Sequence, residues 1–310
     1  MSLLFGGIFV VYYLTDINPA FSTHYSSGFD ALGKTWLAMV VHLILLASLL
    51  ATTVIDARFF IIALPIPWFV TAVAAVIFPV GLHHQPDMGW VIPMTRLSQT
   101  HLTLGALGGL VVALALLHLG WIPRSFQDAH VEPVDSDTPT SPDHFLNYPH
   151  PRREVLKEIP FIVLPIGGAI LAYFFIPLPF NGYPTYCHGF GGVVFGYLMG
   201  CGLIWVTRVL GTLAFGKEAI GLGDVHLLGS IGAVLGGAPV VLVFFVAPFF
   251  GLLGALLIAG ISALLKGQVR IIPYGPYLAA ATLLVMATHG PKEGWLIDHL
   301  RLLFEAFRIL

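Results

Sequence analysis

Charged side chains are scarce in this sequence. Of its 310 residues, 14 are Lys or Arg and 16 are Asp or Glu, together 10%, whereas a soluble globular domain usually carries about 25%. Hydrophobic residues make up 57% of the chain, and its mean hydropathy is +0.89. This composition excludes an ordinary cytosolic enzyme, a disordered chain and a secreted disulfide scaffold. It predicts an all-α polytopic membrane protein, whose backbone polar groups are satisfied inside helices.

Cysteine is also scarce, and the net charge is small. The two cysteines, Cys187 and Cys201, have a spacing that suits neither a zinc site nor a redox pair, so we interpret both as structural. A net charge of −2 gives no reason to expect nucleic acid as a partner. The first residues lack a basic segment and a small-residue cleavage site, so no cleavable signal peptide is expected.

Long apolar runs, in contrast, are abundant. About 20 apolar residues cross the hydrocarbon core of a bilayer as a helix, and runs near this length predict eight or nine transmembrane helices in a single bundle. The candidate runs are 3–14, 36–55, 59–80, 99–120, 159–177, 188–210, 224–237, 239–265 and 275–289.

Polar stretches between these runs suggest how the chain is organised. Residues 1–120 would form N-terminal helices, and 159–290 would form C-terminal helices. Residues 121–158 contain several Pro, Asp and His, which predicts an irregular polar loop within an inserted helix pair. Residues 291–310 alternate apolar and basic side chains, which indicates a short interfacial tail.

The basic residues predict the orientation of the bundle, since cytoplasmic loops are enriched in Lys and Arg. With the N-terminus in the cytoplasm, nine of the 14 basic residues lie in cytoplasmic loops and five on the other side. The nine are Arg58, Arg124, Arg152, Arg153, Lys157, Arg208, Lys217, Lys266 and Arg270. Asp56 and Asp224 would then lie at the same, cytoplasmic, membrane boundary.

These two acids are the main candidates for chemistry, since an ionisable group in a membrane span is costly and usually functional. Asp56 stands at the junction of two apolar runs, and Asp224 stands at the start of another. Two simpler interpretations remain open: Asp56 as a solvated turn residue, and Asp224 as a helix N-cap. Asp87 competes for the role of first acid, although the predicted topology places it on the opposite membrane face.

The residues around Asp224 form a motif with a known counterpart. The segment 218–228 reads EAIGLGDVHLL, with a G-x-G-D sequence at 221–224, and the segment 272–278 reads IPYGPYL. In this order and spacing, the two blocks resemble the type IV prepilin peptidase family over about residues 188–288. Gly221 and Gly223 let the backbone approach another chain closely, as an extended peptide substrate would require.

The resemblance implies a site and a function. The catalytic pair would be Asp56 and Asp224, and residues Gly221, Gly223, Pro273, Gly275 and Pro276 would support the motif or contact substrate. The peptidase reaction of such a pair would need neither metal nor cofactor. The substrates would be prepilin or pseudopilin-like precursors, cut at the cytoplasmic face of the inner (plasma) membrane by a multi-pass enzyme. Many members also methylate the new N-terminus and carry paired C-x-x-C motifs, which this sequence lacks, so methyltransferase activity is not expected.

The sequence departs from the family pattern at three points. Trp68 stands where Asp or Asn is common after the Ile66-Pro67 pair, and His226 stands where Lys is commoner. The acids are 168 residues apart (224 − 56), which we interpret as an insertion of runs 99–120 and 159–177 with their loop. An even number of added helices keeps both acids on one membrane side. Two other functions stay open: a catalytically silent scaffold relative, and, ranked last, a small-solute transporter.

Overall fold

The fold is an assembly of helices. A computed structural model describes residues 2–14, 28–126, 150–265 and 274–288, and this part of the chain contains helices and no strand. The α-helices are α1 (Ser2–Phe9, continued by a π-helical turn Val10–Leu14), α2 (Gly28–Phe59), α3 (Pro65–His84), α4 (Leu97–His118), α5 (Pro151–Leu156), α6 (Pro160–Phe175), α7 (Thr185–Phe215), α8 (Leu222–Leu235), α9 (Gly237–Leu265) and α10 (Gly275–Thr288).

Each predicted apolar run corresponds to a helix. Six stretches are long and apolar enough to cross a membrane: Asp30–Phe59, Pro65–His84, Leu97–His118, Pro151–Phe175, Thr185–Phe215 and Gly237–Gly260. Three shorter apolar helices accompany them: Leu3–Leu14, Leu222–Leu235 and Gly275–Thr288. The predicted class, an all-α polytopic membrane protein, is confirmed.

Two predicted boundaries are wrong. The third run begins at Pro65 rather than at 59, because Phe60 adopts a left-handed conformation (φ 55°) that ends α2, and Pro65 then starts α3 at the position that proline favours. Residues 150–158 are not irregular, because Pro151–Leu156 is helical and leads into α6. The rest of the predicted loop (127–149), Pro273 and the predicted tail 291–310 lie outside the described residues.

Glycine faces bring several helices into close contact, as the small-residue pattern predicts. A Cβ atom on Gly196 of α7 would lie 1.9 Å from the carbonyl oxygen of Gly232 of α8. A Cβ atom on Gly109 of α4 would lie 2.0 Å from the carbonyl oxygen of Leu164 of α6. Larger residues at these positions would therefore separate α7 from α8, and α4 from α6.

Helix α8 lies at the centre of the bundle. It contacts α3, α7, α9 and α10, and every residue from Leu227 to Val234 is buried. The helix contains only 14 residues, so its first turn, with Asp224, lies close to the ends of its longer neighbours. Its burial fixes the position of this turn relative to α2 and α10, both of which also contact α8.

Candidate active site

Asp56 is a buried residue in the last turn of α2. Its side chain is only 6% exposed, and its backbone carbonyl accepts a hydrogen bond from the amide of Phe60 at 2.9 Å. One carboxylate oxygen, Oδ2, accepts a hydrogen bond from the backbone amide of Gly275 at 2.9 Å. The interpretation of Asp56 as a solvated turn residue is therefore wrong.

Asp224 is the third residue of α8. The N-cap of this helix is Gly221, so the interpretation of Asp224 as the cap is also wrong. At the third helical position the carboxylate lies beside the N-cap residue, because a Cβ atom on Gly221 would be 3.4 Å from Oδ2 of Asp224. The other oxygen, Oδ1, is buried and accepts no hydrogen bond from the described residues. It is therefore available to a substrate or a water.

The structure brings the two acids to one end of the bundle, which we call the aspartate end. Helix α8 contacts α2, and Gly223, next to Asp224, packs against Ile62 in the link that follows α2. Gly275 hydrogen-bonds to Asp56, and Tyr274, the residue before it, lies near enough to Asp224 for the charge of this acid to raise the pKa of the tyrosine. Both carboxyl groups thus lie beside the start of α10, although they are 168 residues apart in sequence (224 − 56).

Two of the motif glycines are required by close contacts. A Cβ atom on Gly275 would lie 2.6 Å from Oδ2 of Asp56, so only glycine lets the amide approach this carboxylate. A Cβ atom on Gly223 would lie 2.6 Å from the Cβ atom of Ile62, which belongs to the link that follows α2. The close approach predicted for Gly223 is therefore made to this link. Gly221 is exposed, and an added Cβ atom would meet its nearest neighbour, Oδ2 of Asp224, at an ordinary van der Waals distance.

The segment before α10 supplies one further polar group. Burial, with the nearby charge of Asp224, raises the pKa of Tyr274 to about 12. Its hydroxyl group therefore stays protonated at neutral pH and can donate a hydrogen bond. Pro276 occupies the second position of α10, where the missing amide of proline costs no helical hydrogen bond.

Arg208 is the residue that the sequence analysis misplaced. It was assigned to a cytoplasmic loop, but it lies inside α7 and is only 2% exposed. Its positive charge interacts with Asp224. The sequence did contain a signal for this burial, because Arg208 falls inside the apolar run 188–210. Ionisable groups within spans are rarely incidental.

The two residues that depart from the family pattern contact each other. The rings of Trp68 and His226 meet edge to face with centroids 5.6 Å apart, and Nδ1 of His226 hydrogen-bonds to the hydroxyl of Tyr197 at 2.8 Å. At 100° per residue, His226 and Leu222 lie on the side of α8 opposite Asp224. Both line an apolar groove of about 1300 Å³ between α8 and the helices α4 and α6. The departures therefore alter this groove rather than the acid pair.

Asp87 lies away from the acid pair. It is in a 3₁₀ turn (Pro86–Trp90) that follows α3, and it forms an ion pair with Lys34 at 3.6 Å. Asp56 precedes α3, and 20 helical residues span about 30 Å, so Asp87 is at the opposite end of the bundle. Across the described ranges, no three His, Cys, Asp or Glu side chains are grouped so that they could hold a metal ion.

Comparison with known proteins finds relatives of part of this chain. A stretch of 91 residues is 37% identical to the prepilin leader peptidase/N-methyltransferase of Aeromonas hydrophila and to the protein of that name from Aeromonas salmonicida strain A449. The stretch covers 29% of this chain and 29% of the length of each relative. No family model and no solved structure matches the chain. The chain is thus a multi-pass membrane protein with partial similarity to a peptidase.

Proposed function

We propose that this protein is an intramembrane aspartyl endopeptidase. The observation that carries the proposal is the convergence of Asp56 and Asp224 beside Gly275, in a membrane protein that is partly similar to a prepilin leader peptidase. A buried acid and a half-buried acid in a bundle of apolar helices are costly unless they have a function. Both lie close to helix ends, where a substrate backbone can leave the membrane.

The chemistry we propose is that of an acid pair without metal or cofactor. Two neighbouring carboxylates cannot both ionise cheaply, so they share one proton. The ionised acid takes a proton from a water molecule, which attacks the scissile carbonyl carbon, and the neutral acid donates its proton to the carbonyl oxygen. The amide of Gly275 orients Asp56, and the free Oδ1 of Asp224 offers a site for the water or the carbonyl.

The substrates we propose are type IV prepilin or pseudopilin-like precursors, whose basic leader peptide precedes an apolar helix. Basic residues near the aspartate end, among them Arg58, Arg124 and Arg152, favour a cytoplasmic orientation of this end in the inner (plasma) membrane. An acid pair at that boundary would cut between leader and helix. Methyl transfer is not part of the proposal, because the sequence has two cysteines and no C-x-x-C pair.

Co-expression with a candidate precursor tests this function. Wild-type protein should shorten the precursor by the size of its leader, whereas Asp56→Asn and Asp224→Asn should each abolish cleavage, since neither keeps the shared-proton pair. Asp87→Asn, at the opposite end of the bundle, is the control and should cleave normally. Membrane levels of all four proteins should be equal by immunoblot.

The outcome separates the proposed peptidase from a catalytically silent scaffold. If wild-type protein cleaves no precursor and both Asn variants support normal pilus assembly or secretion, the scaffold is favoured. Trp68 was the residue that suggested loss of activity, but its contact with His226 lies on the side of α8 away from Asp224. This contact supports the peptidase over the silent alternative, whose other argument is the long insertion between the acids.

A further inference from the structure

A buried cluster of charged residues links the inserted helices to the G-x-G-D segment. We call it the Arg208 cluster and define it as Arg208, Glu158, Glu218, Trp205, Ser125 and the carbonyl group of Ile220. Arg208 and Glu158 are both buried, and Glu218 is 25% exposed. The mechanism proposed above uses none of these residues directly.

On one side, the Arg208 cluster binds the inserted helix pair. Nε and Nη2 of Arg208 donate hydrogen bonds to the two carboxylate oxygens of Glu158, at 3.0 and 3.1 Å. Glu158, between α5 and α6, also accepts hydrogen bonds from Ser125 and from the indole of Trp205, both at 2.8 Å. Four donors therefore fix this one carboxylate, and through it the guanidinium plane.

On the other side, the Arg208 cluster binds the segment that leads into α8. Nη1 of Arg208 donates to Oε1 of Glu218 at 2.5 Å and to the backbone carbonyl of Ile220. Ile220 directly precedes Gly221, which is the N-cap of α8 and lies beside the carboxylate of Asp224. One guanidinium group thus connects the inserted helices to the turn that carries a proposed catalytic acid.

The energetics make this connection rigid. A buried guanidinium is tolerated only when its donors are satisfied, and removal of one partner leaves an uncompensated charge. The planar group presents its donors in a fixed fork, so a shift of Glu158 must rotate the fork and move its contact with Ile220. Lysine has a single ammonium group and cannot contact Glu158 at two atoms while also reaching Glu218 and Ile220.

From this geometry we infer that Arg208 is a positioning residue for Asp224, and that the inserted helices set its orientation through Glu158. The inference rests on the proposed peptidase function for its catalytic consequence. The inserted helix pair is then part of the active machinery, because it determines where the G-x-G-D turn lies relative to Asp56.

The test compares Glu158→Gln and Arg208→Lys with Glu154→Gln. Glu154 is a matched control: it lies one turn earlier, is buried and bonds to Lys157 and to the amide of Phe126, not to Arg208. The ring of Phe126 lies 4.9 Å from the Arg208 guanidinium, and glutamine keeps an oxygen that accepts the Phe126 amide, so Glu154→Gln leaves this ring in place. Glu158→Gln and Arg208→Lys should lower kcat for precursor cleavage by about 10- to 100-fold with KM unchanged, the effect of a shift of about 1 Å in a reacting group. Glu154→Gln should keep the wild-type kcat.

A second measurement does not need peptidase activity. Leu222, inside the G-x-G-D sequence, is 39% exposed and can be replaced by cysteine in a Cys187→Ser background, with Cys201 left buried. Maleimide should label this cysteine faster in the presence of Glu158→Gln or Arg208→Lys, and at the unchanged rate with Glu154→Gln. Labelling decides the inference even if wild-type protein cleaves no precursor, a result that would refute only the proposed function.

Several results would overturn the inference. Glu158→Gln with the kcat and labelling rate of Glu154→Gln would show that the cluster does not position the turn. A raised KM with unchanged kcat would assign the cluster to substrate binding. If Glu158→Gln fails to insert, Glu218→Gln, at the less buried edge, takes its place with the same two readouts, and wild-type values there would overturn the inference equally.

Discussion

Replacing Gly275 with alanine tests whether the contact between α10 and Asp56 matters for catalysis. The added Cβ would lie 2.6 Å from Oδ2 of Asp56, whereas ordinary van der Waals contact begins near 3.4 Å. The carboxylate must therefore retreat by about 0.8 Å (3.4 − 2.6) or lose the 2.9 Å hydrogen bond from the Gly275 amide. A hydrogen bond to a charged group contributes about 1.5–3 kcal/mol, and a misplacement of about 1 Å costs about 100-fold in rate.

We therefore expect Gly275→Ala to lower kcat for precursor cleavage by about 10- to 100-fold while the amount of inserted protein stays unchanged. Purified protein in detergent or proteoliposomes, assayed by the loss of leader under single-turnover conditions, gives the rate. Gly202→Ala is the matched control, because it introduces the same methyl group into α7 where no atom lies within 4 Å. A Gly275→Ala rate equal to that of Gly202→Ala would refute the reasoning.

Two further predictions concern packing. In the Trp68 and His226 pair, Trp68→Asp or His226→Lys alone should lower the unfolding midpoint. The double variant should regain stability by a coupling energy of about 0.5–3 kcal/mol, because the new side chains attract each other. Strictly additive effects in a thermal-shift assay would contradict this coupling. Gly109→Ala should destabilise the contact between α4 and α6 by about 1–3 kcal/mol, while Gly108→Ala, which meets open space one residue away, should be neutral; equal midpoints for the two variants would refute the close contact.

The sequence was sufficient to predict the helices and the placement of the two acids at one end of the bundle. Apolar runs of membrane length report directly on spans, because the bilayer fixes the length that a helix needs. Asp56 and Asp224 were identifiable because an acid at a span boundary is unusual in so apolar a chain. Their convergence also followed from counting spans, since an even number of helices between them returns the chain to the same side.

The contacts around the acids were not predictable from the sequence. Whether Asp224 or Gly221 caps α8 depends on a shift of three residues in the helix start, and no local pattern sets that shift. The partnership of Arg208 with Glu158 joins residues 50 apart whose pairing depends on helix packing. The count of basic residues used to predict orientation placed Arg208 in a cytoplasmic loop, although its side chain is buried inside the bundle.

The hydrogen bond between Asp56 and Gly275 joins residues 219 positions apart in the chain. At a translation rate of about 5–20 residues per second, the ribosome needs about 11–44 seconds to make the intervening segment. During that interval Asp56 is already synthesised, but its amide donor does not yet exist. A nascent chain therefore assembles this contact late, after most of its helices have entered the bilayer, and an unfinished polypeptide lacks the contact altogether.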